Sequence, residues 1–194
     1  MLLSDLLERR PLLVALAGPN GAGKSTFYEA FLARAGLCFV NADLLALSLQ
    51  IDPYAAAELA DRLRRQLVAQ RESFLFETVF SDPVGEKVEF LRSAEAAGYT
   101  VLLIFIGLAT AELSDQRVAM RAASGGHDVP PEKIIARFPR TLRNLKRAFA
   151  GLSNVLVYDH SNLERGYALV AAKVDGSEVA WADTVPAWLK DMEN

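Results

Sequence analysis

One stretch restricts the fold more than any other: Gly18-Pro19-Asn20-Gly21-Ala22-Gly23-Lys24-Ser25-Thr26. It satisfies G-x-x-x-x-G-K-[ST], the pattern of a loop that cradles phosphates. Such a loop needs a strand before it and a helix after it. Residues 12–17 are a short apolar run bounded by Pro11 and Gly18, read as a buried strand. A helix is expected over 24–35, closed by Gly36. The glycines at 21 and 23 let the backbone curl so that its N–H groups face an anion. The helix N-terminus adds partial positive charge. Gly18, Pro19, Asn20, Gly21, Ala22, Gly23, Lys24, Ser25 and Thr26 are therefore the expected nucleotide cradle. Lys24 should reach the β- and γ-phosphates of ATP or GTP, and Ser25 should ligate Mg²⁺.

The remaining chain alternates strand and helix, the pattern of a parallel sheet covered on both faces. Strands are expected at 38–40, 74–80, 101–106 and 154–158, with 101–106 the most continuous apolar run and so central. Helices are expected at 54–70, from Ser81-Asp82-Pro83 to Gly98, and at 113–120. Ser124-Gly125-Gly126 breaks the last of these, and Pro130-Pro131 begins another. In that segment Ile134, Ile135, Phe138, Leu142, Leu145 and Phe149 form an apolar stripe, interrupted by Pro139, which predicts a kink or two helices. Residues 167–174 and 177–182 flank Asp175-Gly176 and read as a β-hairpin. A short helix from Pro186 follows. The expectation is one three-layer α/β domain over 1–194, with a five-stranded parallel sheet and 165–194 as an extension.

Three further features carry chemistry. Asp43 ends the second strand, at the strand termini where α/β sheets bind ligands. Phosphoryl transfer to a hydroxyl needs a proton acceptor, and Asp43 is the first choice; it could equally cap a helix starting at Leu44. Glu77 interrupts an apolar strand, where a charge is costly unless paired or metal-linked. It and Thr78 are candidates for substrate contact, and Glu77 with Ser25 for Mg²⁺. Between 117 and 147 eight basic residues face only Asp128 and Glu132. That basic segment on a chain of net charge −3 suggests a local polyanion. Arg121, just before the glycine-rich break, is the candidate catalytic arginine, and 124–130 a closing lid. Arg143, Lys146 and Arg147 read as a solvated helix face.

Composition excludes several classes. At 52% hydrophobic and 23% charged the chain is neither disordered nor globally basic, so nucleic acid is an unlikely partner. The single cysteine, Cys38, cannot form an internal disulfide, which fits a reducing cytoplasm. No apolar run reaches the ~18 residues of a membrane span. Arg9-Arg10 and the apolar run after it imitate a secretory signal. That run instead supplies the strand that the phosphate loop requires. His127 and His160 lack the Cys or His partners of a zinc site. His160 could border a nucleotide base or simply form a turn.

The ordered set of Gly18 to Thr26, Asn41-Ala42-Asp43, Phe76-Glu77-Thr78 and Gly125-Gly126-His127-Asp128-Val129-Pro130, with Ile134, Arg137 and Asn144-Leu145, resembles the zeta-toxin-like P-loop kinases. The resemblance covers roughly 11–161. It implies a nucleoside-kinase-like P-loop fold and ATP- or GTP-dependent phosphorylation of a hydroxyl on a small molecule, a uridine-diphosphate amino sugar in the zeta toxins proper, often with an antitoxin partner. By that likeness Lys24, Asp43 and Arg121 are catalytic, and Asp43, Glu77 and Thr78 face the substrate. His127 lies in the lid, and the second arginine of the toxins falls to Arg137 or Arg140. A nucleotide-binding switch without transfer, or a kinase of nucleic-acid ends, are the alternative functions.

Overall fold

The computed structural model describes residues 2–125 and 129–192. After a first helix α1 (Leu2–Leu7) come β1 (Leu12–Ala17), α2 (Lys24–Phe27), β2 (Cys38–Val40), α3 (Ala42–Leu49), α4 (Pro53–Ala69) and β3 (Phe74–Thr78). Then follow α5 (Glu86–Ala96), β4 (Thr100–Gly107), α6 (Ala111–Ala123), α7 (Pro131–Gly151) and β5 (Val155–Asp159). The chain closes with β6 (Ala168–Lys173), β7 (Ala180–Trp181) and a 3₁₀ segment at Ala187–Met192.

The strands form one sheet in the order β2-β3-β1-β4-β5-β6-β7. The first five are parallel, and the β6–β7 hairpin continues them antiparallel. The sheet therefore has seven strands: the expected hairpin is built into it. β4 stands at the centre, as its unbroken apolar sequence requires.

Alternation along the strands builds two cores. Leu13, Ala15, Phe74, Phe76, Leu103 and Phe105 face one layer, with Ala60 of α4, Leu91 of α5 and Leu145 of α7. Leu12, Val14, Leu16, Leu75, Ile104 and Ile106 face the other, with Leu6 of α1 and Phe27 of α2. Every β1 residue is buried, so the loop that follows is launched from a fixed platform.

Several expectations shift. The helix over 24–35 is continuous but changes pitch, through a π turn at Tyr28–Leu32 and a 3₁₀ turn at Ala33–Ala35, before Gly36 at φ +66°. Helix α5 starts at Glu86, not at Ser81-Asp82-Pro83, because Gly85 takes a left-handed φ of +88°. Val84 is left outside the helix and 71% exposed. Pro139 does not divide α7, which is a single helix with Pro139 on its exposed side. The Asp175-Gly176 turn is present, with both residues at positive φ.

Candidate active site

The phosphate loop leaves β1 at Gly18 (φ +144°), where an added Cβ would lie 2.1 Å from the Ile106 carbonyl oxygen of β4. Gly21 and Gly23 also take positive φ, and Gly23 is the N-cap of α2. The loop is braced from behind. Ser114 Oγ donates to the Asn20 carbonyl at 2.6 Å, and the Tyr167 hydroxyl donates to the Gly23 carbonyl at 2.7 Å. His160 Nδ1 sits 2.8 Å from the Ala22 carbonyl and its ring stacks on Tyr167 at 4.0 Å. A carbonyl only accepts, so Nδ1 carries the proton and the neutral tautomer is fixed. Burial pushes the His160 pKa below 6.5, in the same direction as the neighbouring Arg117 charge. His160 therefore supports the loop; it is a built strut with a defined partner.

Lys24 is buried, only 6% exposed. Its Nζ donates to the Gly18 and Pro19 carbonyls, 3.0 Å each, and lies 3.7 Å from Glu77 Oε1. Burial pushes its pKa down from 10.5; Glu77 raises it, Arg121 lowers it further and Asp43 raises it. These charges thus share one electrostatic field.

Glu77 is the hub. Its Oε2 accepts from Ser25 Oγ at 3.3 Å and from Asn41 Nδ2 at 3.1 Å, while Oε1 faces Lys24. The carboxylate in an apolar strand is paired, as the cost of burying it demands. Among the described residues no group of three or more His, Cys, Asp or Glu could hold a metal. A hydroxyl and one carboxylate side by side instead fit Mg²⁺, which keeps waters and shares the nucleotide's oxygens. Ser25 and Glu77 are the residues that would hold it.

Asp43 does not cap α3. Asn41 does, with Oδ1 accepting from the Asp43 and Leu44 N–H groups at 2.8 and 3.2 Å. Asn41 thus ties the helix start to Glu77 through its other amide atom. It is a site residue that the motif contained but the sequence reading left without a role. The Asp43 side chain, one position into the helix, stays exposed at the cleft wall. Thr78 also lines the cleft, and its Oγ1 accepts from the Phe80 N–H at 3.0 Å, holding Phe80 at φ +62°.

These side chains converge on one cleft of about 590 Å³. Asn20, Lys24, Ser25, Asp43, Glu77, Thr78, Arg121 and Arg137 line it. Arg140 is not brought there: its Nε donates to the Ala136 carbonyl of its own helix. Arg147 is exposed, as a solvated helix face requires, and also donates to Asn144 Oδ1 at 3.0 Å and lies against Gly85. Of the lid, Ser124 and Gly125 end α6 and Val129 is anchored with Val118 and Ile134. Gly126, His127 and Asp128 lie outside the described residues. The sequence reading also missed Arg64 and Lys87, which line the same cleft.

The family model described as zeta toxin matches residues 52–168, more than half of the chain. The chain belongs to the zeta-toxin family. The matched stretch contains Glu77, Arg121 and Arg137; the phosphate loop and Asp43 precede it. No curated protein matches the chain.

Solved structures reproduce the fold of this zeta-toxin family member. The AvrRxo1-ORF1:-ORF2 structure with ATP superposes with a TM-score of 0.71 at 23% identity, over 94% of this chain and 63% of that one. The chain thus spans less than two thirds of that relative. The PezAT chromosomal toxin-antitoxin system of Streptococcus pneumoniae gives 0.59 at 17% identity, over 98% and 89%. A putative kinase from Chloroflexus aurantiacus gives 0.57 at 17% identity, over 81% and 90%. The fold is that of P-loop kinases. No helix among the described residues is long and apolar enough to cross a membrane.

Proposed function

We propose that this chain is a kinase that moves the terminal phosphoryl group of ATP or GTP to a hydroxyl of a small molecule. The observation that carries the reading is one cleft holding a phosphate loop with Lys24, a Ser25–Glu77 pair and the uncommitted carboxylate of Asp43. A switch that only binds nucleotide needs the first two and not the third.

In the proposed step the acceptor oxygen forms a bond to the γ-phosphorus while its proton passes to Asp43. The bond from the γ-phosphorus to the bridging oxygen breaks, and the nucleoside diphosphate leaves with that oxygen. Lys24 and Arg121 meet the charge on the transferring group. Bound Mg²⁺ would neutralise the phosphate oxygens. Glu77 orients Ser25 and Asn41, and Thr78 shapes the acceptor wall. Arg137, from α7, takes the part of the second arginine.

The single-domain reading of 1–194, with its last strands built into the sheet, belongs to the same proposal. So does a cytoplasmic setting. Family membership makes a uridine-diphosphate amino sugar the first acceptor to try. The AvrRxo1-ORF1:-ORF2 and PezAT assemblies make an antitoxin-like protein the first partner to seek.

The test is transfer from γ-labelled ATP across a panel of nucleotide sugars and simpler alcohols. Asp43→Asn should keep ATP affinity within a few-fold and slow the chemical step by roughly 10²–10⁴. Nucleotide binding without transfer to any acceptor would leave the switch as the function. Parallel loss of affinity and rate would remove Asp43 from the role of base.

A further inference from the structure

The described residues contain two buried side-chain atoms without a hydrogen-bond partner, Asn20 Oδ1 and Arg64 Nε, and both residues line the same cleft. Asn20 belongs to the phosphate loop. Arg64 does not: it rises from the middle of α4 and is 6% exposed.

Its surroundings leave it under-neutralised. Nη2 donates to Asp61 Oδ1 at 2.8 Å, and the guanidinium lies over the Phe76 ring at 4.9 Å. Asp61 is not Arg64's alone. It also accepts from Arg65 Nε at 2.9 Å and faces Lys87 Nζ at 3.6 Å. One carboxylate therefore serves three cations. Arg65 points to solvent, whereas Arg64 and Lys87 face the cleft. Two cleft-facing cations share one counter-charge, and one of them has an idle buried donor.

Burying a guanidinium against an aromatic ring and half a carboxylate is a poor way to stabilise a helix. An apolar side chain of similar volume would do as well or better. The arrangement gains its sense from an anion that completes it, because a guanidinium binds oxyanions through paired donors. Arg64 stands on α4, over Phe76 of β3, outside the loop of residues 18–26 that the donor triphosphate would occupy.

We propose that Arg64, with Lys87 on the rim, binds an anionic oxyacid group of the phosphoryl acceptor, a phosphate or a carboxylate. The proposal rests on the kinase reading and adds the residues that hold the acceptor's anionic end. Arg64 would then hold the molecule by its anionic end while its hydroxyl faces Asp43.

The test is a calorimetric titration of inorganic pyrophosphate, and separately of malonate, into protein saturated with Mg²⁺ and a fluorescent non-hydrolysable ATP analogue. Fluorescence verifies that the analogue stays bound. Saturable binding is expected, weakened at least tenfold by Arg64→Gln, several-fold by Lys87→Gln, and less than twofold by Arg65→Gln. Preference for pyrophosphate identifies a phosphorylated acceptor, and preference for malonate a carboxylate. Arg64→Lys, which keeps charge and bulk, should recover part of the affinity. If Arg64→Gln does not fold, Lys87→Gln and Arg64→Lys decide. No saturable binding, or equal binding by wild type and variants, overturns the proposal while nucleotide binding stands. Failure to bind the analogue would instead strike at the kinase reading. The same titration on the free protein then judges Arg64 by the same criterion.

Discussion

Replacing Gly18 by alanine should be far more damaging than replacing another positive-φ glycine, and the structure supplies the comparison. Gly18 has φ +144°, and its Cβ would meet the Ile106 oxygen at 2.1 Å. That oxygen belongs to the backbone of the central strand, so it cannot swing aside. Gly36 has φ +66° and nothing within 4 Å. Gly36→Ala therefore carries only the dihedral cost, about 1–2 kcal/mol. Gly18→Ala carries a dihedral cost of about 1–3 kcal/mol and a steric cost of about 1–3 kcal/mol. At roughly 2–4 °C per kcal/mol for a chain of this size, Gly36→Ala should lower Tm by about 2–8 °C. Gly18→Ala should lower it by about 4–24 °C. Calorimetry of the two variants side by side, with urea midpoints as a second measure, checks the difference. If Gly18→Ala proved no less stable than Gly36→Ala, the loop would not be seated against β4 and the steric argument would fail.

Two further outcomes are expected. Arg121→Ala should reduce kcat by about 10²–10³ with nucleotide affinity little changed, as for a donor that meets transition-state charge. Arg140→Ala, outside the cleft, should leave kcat within twofold; equal losses from both would dissolve the distinction between them. His160 has a folded pKa below its unfolded value near 6.5, so the unfolded chain binds more protons in the window between the two. Stability should fall as pH drops below about 6.5. His160→Gln should flatten that part of the denaturation profile, and an unchanged slope would exclude the buried strut as its source.

The parallel strands and the phosphate loop were legible because their signals are local. A six-residue unbroken apolar run such as 101–106, too short for a helix and closed by Gly107, reads as a buried strand, and the glycine-lysine pattern between strand and helix reads as a phosphate loop. Lys24's burial was not legible, since it comes from folding the side chain back onto the Gly18 and Pro19 carbonyls. Pro139 misled because its helix cost is paid in one missing N–H, which an exposed position tolerates within so long an apolar stripe. Asn41 and Asp43 differ by two places, and both residue types cap helices, so only the backbone could assign the cap. Arg64 sits in Asp61-Arg62-Leu63-Arg64-Arg65, which reads as an ordinary charged helix surface. Arg64 continues the buried spacing of Ala56 and Ala60, but a charge at that position reads as surface until Phe76, a residue of a different element, is seen beneath it.

The placement of β6 and β7 also bears on how the protein survives in concentrated solution. A sheet is vulnerable where a strand leaves its N–H and C=O groups unpaired, because another chain can add there. Here the two outermost strands are only Cys38–Val40 and Ala180–Trp181. Neither offers a long template. Without the hairpin, the outer flank would be β5, whose Val155, Leu156 and Val157 are completely buried in the intact sheet. A short apolar strand rich in valine is a ready template for intermolecular pairing. The β6–β7 hairpin thus acts as a guard on β5, and keeps that strand's outer backbone paired within the chain.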